Sequence, residues 1–486
     1  MKRFAVFILI AVQLFTACRK DVGKVSYGNY PYAVGKIIST SCAVSGCHNA
    51  QSYLAASALN LDSWENLFKG SVSGSPVIPY SSRFSSLCYF INVYPDLGAQ
   101  NIPSMPLNRN ALSYDQVKTI KNWVDAGAPN INGELKWPKY SLRKKLYAVN
   151  QGCSVVTVID AETQLPIKYI DVGTKGGSDT PHQVRVSPDG LFWYVIFINN
   201  NILQKYSCLT DELLAQIPLT PALAGTGTTD ALNWNTFVIS RDGKRAYAVS
   251  LSQSGAIAAL DLEKGKLMHY MGFVFNPHGV VLNTNEDKIY VTGQSGNYIM
   301  EIDTALKART NISLENGIAP DQNSKLDAHD ILLSSNKQDL WITCQSSNDV
   351  RVYNIASAKV TSVIPTGMYP QEIVYSSSKD EFYVACMNDT SARGQWGSVT
   401  RMNAKKQMDV TNLACGFQPH GICVDENTKL IYVLSRNQSS KGPPPHHSSQ
   451  CAGKNGFVNF IDLNSFTLLN RKYELSVDPY FICPQP

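Results

Sequence analysis

Charge is scarce in this sequence. Only 17% of its 486 residues are Asp, Glu, Lys or Arg, the net charge is +5, and no run of Lys and Arg exceeds an ordinary solvated surface. That argues against a nucleic-acid partner, which needs a concentrated basic patch to displace phosphate counterions. The opening apolar run, Phe4 to Phe15, is too short to span a bilayer. The chain is also too long for one compact core, so two domains or one large repeat array is expected. What is plentiful is Gly (32), Pro (24) and Tyr (24), a mixture that favours strands and turns over a helical bundle.

The opening run follows Lys2 and Arg3 and ends in Thr16-Ala17-Cys18, so residues 1–17 read as a signal peptide. Phe15-Thr16-Ala17-Cys18 resembles a bacterial lipobox, with Phe where Leu is usual. The resemblance implies that Cys18 becomes a lipidated first residue and that the protein meets the membrane only through that anchor, on the periplasmic or cell-surface side. Ordinary secretion with a chance cysteine is the alternative, and either one puts the mature chain outside the cytoplasm. In an oxidising compartment some of the nine cysteines other than Cys18, Cys42 and Cys47 are expected to pair, and an odd number leaves at least one unpaired.

Residues 25–133 differ from the rest. Cys42-Ala43-Val44-Ser45-Gly46-Cys47-His48 offers two thiols and a histidine directly after the second. Covalent haem attachment needs that set: two thiols to add across the vinyl groups and an imidazole to reach the iron. The common spacing leaves two residues between the cysteines, and here there are four. A disulfide beside a histidine is the alternative; a zinc site would need more clustered ligands. Met105 stands in a Pro-flanked loop, Ile102-Pro103-Ser104-Met105-Pro106, where a second axial ligand is expected. A helix should follow, with Ser113 and Gln116 as its capping box, Val117, Ile120, Trp123 and Val124 on one face, and Gly127 as its stop. Together these segments resemble the small cytochrome c domains fused to other modules in exported proteins of planctomycete and Bacteroidetes type. The resemblance implies a small all-α domain carrying haem c on Cys42 and Cys47, with His48 and Met105 as axial ligands.

Residues 140–486 repeat. Tyr480, His182, Asn235, His278, His329, Gln371 and His420 each open a strand, and in all but the first an aromatic follows 12 positions later: Tyr194, Tyr247, Tyr290, Trp341, Tyr383 and Tyr432. Near the start, Lys145 to Val149 has no strand before it, and Asp478 to Cys483 supplies one at the other end. That predicts seven blades closed by a C-terminal strand. The pattern resembles YVTN-type seven-bladed β-propellers, so the expected fold class is multidomain: a small all-α cytochrome c domain followed by an all-β propeller.

Four of the eight histidines, His182, His278, His329 and His420, share that single register. Equivalent positions of a propeller stand at one height around its axis. The four imidazoles therefore suit a metal ion, copper or another transition metal, lined by Asn235, Gln371 and Tyr480. Cys344 and Cys386, three residues past their blade aromatics, are expected on the same side. The bland alternative is a channel neck filled by packed histidines and water. Three functions follow. The leading one is extracytoplasmic electron transfer by haem c to a redox partner protein, with the propeller as docking or metal site. The others are a propeller that recognises a protein or glycan, and a small-molecule oxidoreductase at the axis.

Overall fold

The computed structural model describes residues 26–174, 176–221, 232–391, 396–449 and 451–486; the signal peptide and Cys18 lie outside the described residues. From Lys145 to Pro484, the repeated apolar alternation folds into seven antiparallel sheets of four strands each. The inner strands are Pro479–Pro484, Pro181–Val186, Trp234–Ile239, Pro277–Leu282, Ala328–Leu333, Pro370–Ser376 and Pro419–Asp425. Each touches the next around a closed ring, as in a propeller. The first sheet borrows its inner strand, Pro479–Pro484, from the C-terminus and pairs it with Lys145–Asn150. The expected closure is what forms.

The blade aromatics explain how the sheets hold together. Tyr147, Tyr194, Tyr247, Tyr290, Trp341, Tyr383 and Tyr432 sit on second strands and are no more than 1% exposed. They pack with Val, Ile and Leu of adjacent sheets into clusters between blades. Burying each ring is worth roughly 2–3 kcal/mol. Polar pinning is added between the first two blades. The buried Asp211 carboxylate accepts from Lys145 Nζ at 3.0 Å, Tyr147 Oη at 3.0 Å and Trp193 Nε1 at 3.1 Å, and from the Tyr140 hydroxyl on the strap leading into the propeller.

The N-terminal part corrects an expectation. It is not a distinct all-α domain. Among the described residues it holds four short α-helices, α1 (Tyr32–Ser41), α2 (Trp64–Leu67), α3 (Ser86–Phe90) and α4 (Tyr114–Asp125), separated by long irregular stretches, on a chain that is otherwise nearly all β. Its apolar interior is continuous with the propeller's: Tyr30, Ile38, Trp64 and Trp123 belong to one buried cluster with Tyr147, Val156, Trp193 and Phe481. Helix α4 does form as its sequence requires. Ser113 accepts from the Gln116 N–H, Gln116 reaches back to the Ser113 N–H, and Gly127 ends the helix at φ +96°. The rest lacks apolar periodicity long enough for helices, so this lobe is stabilised by leaning on the first and last blades.

That contact is specific. Phe84 stacks on Tyr169 with centroids 4.6 Å apart, and the Glu474 N–H donates to the Ser73 carbonyl at 3.0 Å. A segment between the second and third strands of the last blade, described over residues 436–449 and 451–454, rises against the lobe. A disulfide between Cys451 and Cys153 ties it to the first blade. Its Ser448 donates through N–H and Oγ to the Asn101 side chain, at 3.1 and 3.2 Å. Cys153 and Cys451 form the one disulfide among the described residues.

Candidate functional site

Two groups of side chains stand out, one in the lobe and one on the propeller axis.

In the lobe, Cys42, Cys47, His48 and Met105 line a single cavity of about 320 Å³, within the usual range for cofactor pockets. The stretched cysteine spacing has a local explanation. Helix α1 ends at Cys42, whose N–H still donates to the Ile38 carbonyl. The inserted residues make a turn, with the Cys47 N–H on the Val44 carbonyl at 3.0 Å and Gly46 at φ +80°. The His48 N–H then returns to the Cys42 carbonyl at 3.2 Å. The loop is longer than usual, yet Cys42, Cys47 and His48 line one cavity.

The His48 ring is oriented from behind. Its Nδ1 lies 3.1 Å from the Leu59 carbonyl, which can only accept, so Nδ1 carries the proton and Nε2 keeps a lone pair. Burial lowers the His48 pKa against the opposing pull of the Leu59 and Ala56 carbonyls, which favours the neutral, ligand form. Burial, helped by nearby Cys47, pushes the Cys42 thiol up to about 12. The Met105 N–H donates to the Phe90 carbonyl at 2.6 Å, which fixes the Pro-flanked loop at the cavity wall. Leu61, Leu87, Phe90 and Ile91 give that wall its apolar character.

Sequence reasoning missed one residue here. His446, from the propeller segment 436–454, also lines the cavity, with its ring 5.0 Å from that of Phe90. Its N–H and that of His447 donate to the Glu474 carboxylate at 2.8 and 3.4 Å. The only signal was a His-His pair in a Pro-rich loop, which says nothing about where the loop lands.

On the axis, all seven register positions converge. The backbone shows why. In every blade the residue two positions before is left-handed: Asp478, Thr180, Asn233, Asn276, Asp327, Tyr369 and Gln418, with φ between +40° and +60°. Directly after it the pairing with the second strand slips, so that the register residue is extra to the ladder. A left-handed kink followed by a bulge re-aims a side chain, here toward the axis.

Five rings close a circle. Centroids are 6.1 Å apart for His182 and His278, 3.9 Å for His278 and His329, 5.8 Å for His329 and His420, 3.7 Å for His420 and Tyr480, and 4.4 Å for Tyr480 and His182. Asn235 and Gln371 are buried at the same level, but their amides bond to backbone, at Pro277 and at Tyr369. The Nδ1 of His278 donates to the His329 carbonyl and that of His420 to the Tyr480 carbonyl, both at 3.2 Å, while the Gln151 amide is 2.7 Å from Nδ1 of His182. Those carbonyls come within reach because Gly follows His278 and His420. A Cβ on Gly279 would meet the His329 oxygen at 2.7 Å, and one on Gly421 would meet the Tyr480 oxygen at 2.5 Å. Only glycine allows the neighbouring backbone so close.

Burial pushes His182, His329 and His420 well below the usual histidine range, and it brings His278 down to about 4 against the pull of the His329 carbonyl. All four rings are neutral at pH 7. Nε2 of His182, both ring nitrogens of His329, and Nε2 of His420 are buried without a protein partner. Beside them lie two carboxyls that sequence reasoning overlooked, Asp330 and Glu372. Asp330 accepts from the Ile373 N–H at 3.0 Å and the Ile331 N–H at 2.9 Å. Burial pushes both carboxyls up; Asp330 adds to the rise at Glu372, and Arg185 opposes it. One donor atom from each of His329, Glu372 and His420 lies within 4.8 Å of the others. The four histidines converge on the axis, and among the described residues the group within mutual reach of one ion is two of them, His329 and His420, with Glu372. Cys344 and Cys386 are not in it; they pack into clusters between blades.

No protein-family model matches the chain, and no curated protein matches it. Among solved structures, the hydrazine synthase of Kuenenia stuttgartiensis is similar, with 15% identity and a TM-score of 0.50, over 66% of this chain and 94% of that one. At that identity the likeness is one of fold. The chain is a seven-bladed β-propeller protein with an N-terminal lobe.

Proposed function

We propose that this protein is an extracytoplasmic haem c protein that transfers single electrons to a redox partner protein. One observation carries the reading: Cys42, Cys47, His48 and Met105, brought from separate segments of the lobe, line the same cavity. The residues fit the group. Two cysteines line the cavity for thioether links, His48 has its Nδ1 proton on Leu59 and so keeps a lone pair on Nε2, and Met105 lines the same cavity. When bound, haem c with His and Met axial ligands supplies a one-electron couple of raised potential.

The chain's own residues do the rest. Leu61, Leu87, Phe90 and Ile91 keep water from the cavity wall, and the Leu59 carbonyl holds the imidazole in one tautomer. The propeller contributes a wall through His446, held in place by Glu474, Ser448 and the Cys153–Cys451 disulfide. That disulfide agrees with an oxidising compartment, and the N-terminal basic-apolar run ending at Cys18 supports export with a lipid anchor.

The test is direct. Produced with a cytochrome c maturation system, the mature chain should carry a pigment that survives denaturing electrophoresis, and Cys47→Ala should lose it. Met105→Ala should keep the pigment while its midpoint potential falls by an amount on the order of tenths of a volt. A colourless wild-type protein under those conditions would end the proposal.

A further inference from the structure

The geometry points to a second, independent centre: a divalent transition-metal ion on the propeller axis, ligated by His329, His420 and Glu372, with its open side toward His182 and Tyr480. This site lies in the propeller and does not depend on the haem reading.

Three observations support it. First, the donors are where an ion needs them, with one ligand atom of each residue inside a 4.8 Å span. Metal–nitrogen and metal–oxygen bonds of about 2.0–2.2 Å put neighbouring donors roughly 3–4 Å apart, so small side-chain adjustments complete the site.

Second, the donors are prepared in the way metal ligands are. The Tyr480 carbonyl takes the Nδ1 proton of His420, so its Nε2 presents a lone pair, and that Nε2 is buried with no protein partner. His329 has neither ring nitrogen bonded to protein, yet it is held by stacking on His278 at 3.9 Å. A buried polar atom left unsatisfied costs about 1–3 kcal/mol, and here four such atoms, on His182, His329 and His420, come from three blades. A hydrophobic or hydrogen-bonded plug would have been the cheaper way to fill this neck.

Third, a buried carboxyl stands beside the imidazoles. Asp330 accepts from the Ile331 and Ile373 N–H groups and also hydrogen-bonds the Glu372 carboxyl, which lies 4.0 Å from Nδ1 of His420, the nitrogen bonded to the Tyr480 carbonyl. Arg436, the cation nearest the Tyr480 ring, is already engaged by Asp478 through two bonds of 2.7 and 2.9 Å. Arg185, the cation that acts on Glu372, donates to the Phe237 carbonyl and the Gln183 side chain.

Two imidazoles and one carboxylate, with further positions open, form a donor set suited to zinc or ferrous iron; among the described residues no cysteine joins the group to select cuprous copper. The three ligands leave room for water or a small anionic or carbonyl-bearing substrate, which the metal would bind as a Lewis acid.

The test uses the full mature chain as Cys42→Ala/Cys47→Ala, so that iron in haem cannot be mistaken for iron on the axis. Metal-stripped protein is titrated with Zn²⁺, with Fe²⁺ without oxygen, and with Cu²⁺ as a spectroscopic probe. One equivalent of Zn²⁺ or Fe²⁺ should bind, and the bound Cu²⁺ should show nitrogen hyperfine coupling from two imidazoles. His420→Gln should reduce that to one imidazole, and Glu372→Gln should weaken Zn²⁺ binding at least tenfold. Both variants should keep the wild-type circular dichroism, and His269→Ala, on an outer strand, should change nothing. Absence of stoichiometric binding to folded protein, or affinity and coupling unchanged in Glu372→Gln and His420→Gln, would overturn the assignment and leave a neck filled by histidines and water.

Discussion

Gly421→Ala should loosen the ring closure and the histidine circle together. The added Cβ would lie 2.5 Å from the Tyr480 oxygen, 2.8 Å from the Phe481 Cα and 3.1 Å from the Tyr480 carbonyl carbon. All three are backbone atoms of the closing strand, so no flexible side chain can turn away. Restoring an ordinary contact requires the strands to part by about 0.9 Å, at an overpacking cost of about 1–3 kcal/mol. The same movement stretches the bond from Nδ1 of His420 to the Tyr480 carbonyl from 3.2 Å to about 4.1 Å, which breaks it and costs about 1 kcal/mol more. The expected loss is about 2–4 kcal/mol, read as a lower urea midpoint with the slope of the transition unchanged. Gly272→Ala is the control. It lies on an outer strand with only the Tyr270 ring near, at 3.5 Å, and should shift stability by no more than about 1 kcal/mol. If Gly421→Ala unfolds at the wild-type midpoint, glycine is not what lets the last blade close on the first.

Asp211→Ala should cost about 3–5 kcal/mol in the same urea assay, because it leaves the fully buried Lys145 ammonium without its counter-charge; a loss under about 1 kcal/mol would refute that pairing. Acid sensitivity should include Glu426. Burial acts to raise its pKa, but bonds from Ser378, Ser376 and Lys429 outweigh it and bring the group from an ordinary 4.5 to about 2. The folded state holds this carboxylate charged more readily than the unfolded chain does, so its contribution is present above pH 4.5 and fades as pH falls toward 2. Glu426→Gln should flatten that part of the stability–pH curve, and an unchanged curve would show that the serine contacts do not hold in solution.

Much of the propeller was legible because its physics is periodic. A residue that opens each inner strand and an aromatic 12 positions on are enough to count the blades, and the missing first strand is visible as a surplus one at Asp478 to Cys483. The capping box of α4 was equally plain, since Ser113 and Gln116 act within one turn. The N-terminal lobe was misjudged as a separate all-α domain. Its few helical stretches suggest one, but Trp64 and Trp123 find their burial in a cluster shared with blade residues such as Trp193. Asp330 and Glu372 were missed for a different reason. In a regular strand they would point away from their neighbours His329 and Gln371, and only the slipped pairing after Ala328 and Pro370 lets both members of each pair oppose a single residue.

The sequence by itself determined which segments become strands, how many sheets they make, and which side chains share a height on the axis, because these follow from short-range periodicity. Tertiary structure alone decided that His446 reaches the lobe's cavity and that a glutamate stands with two of the four histidines. Those outcomes depend on where a long insertion comes to rest and on how each strand is kinked at its start, and neither leaves a repeat to be read.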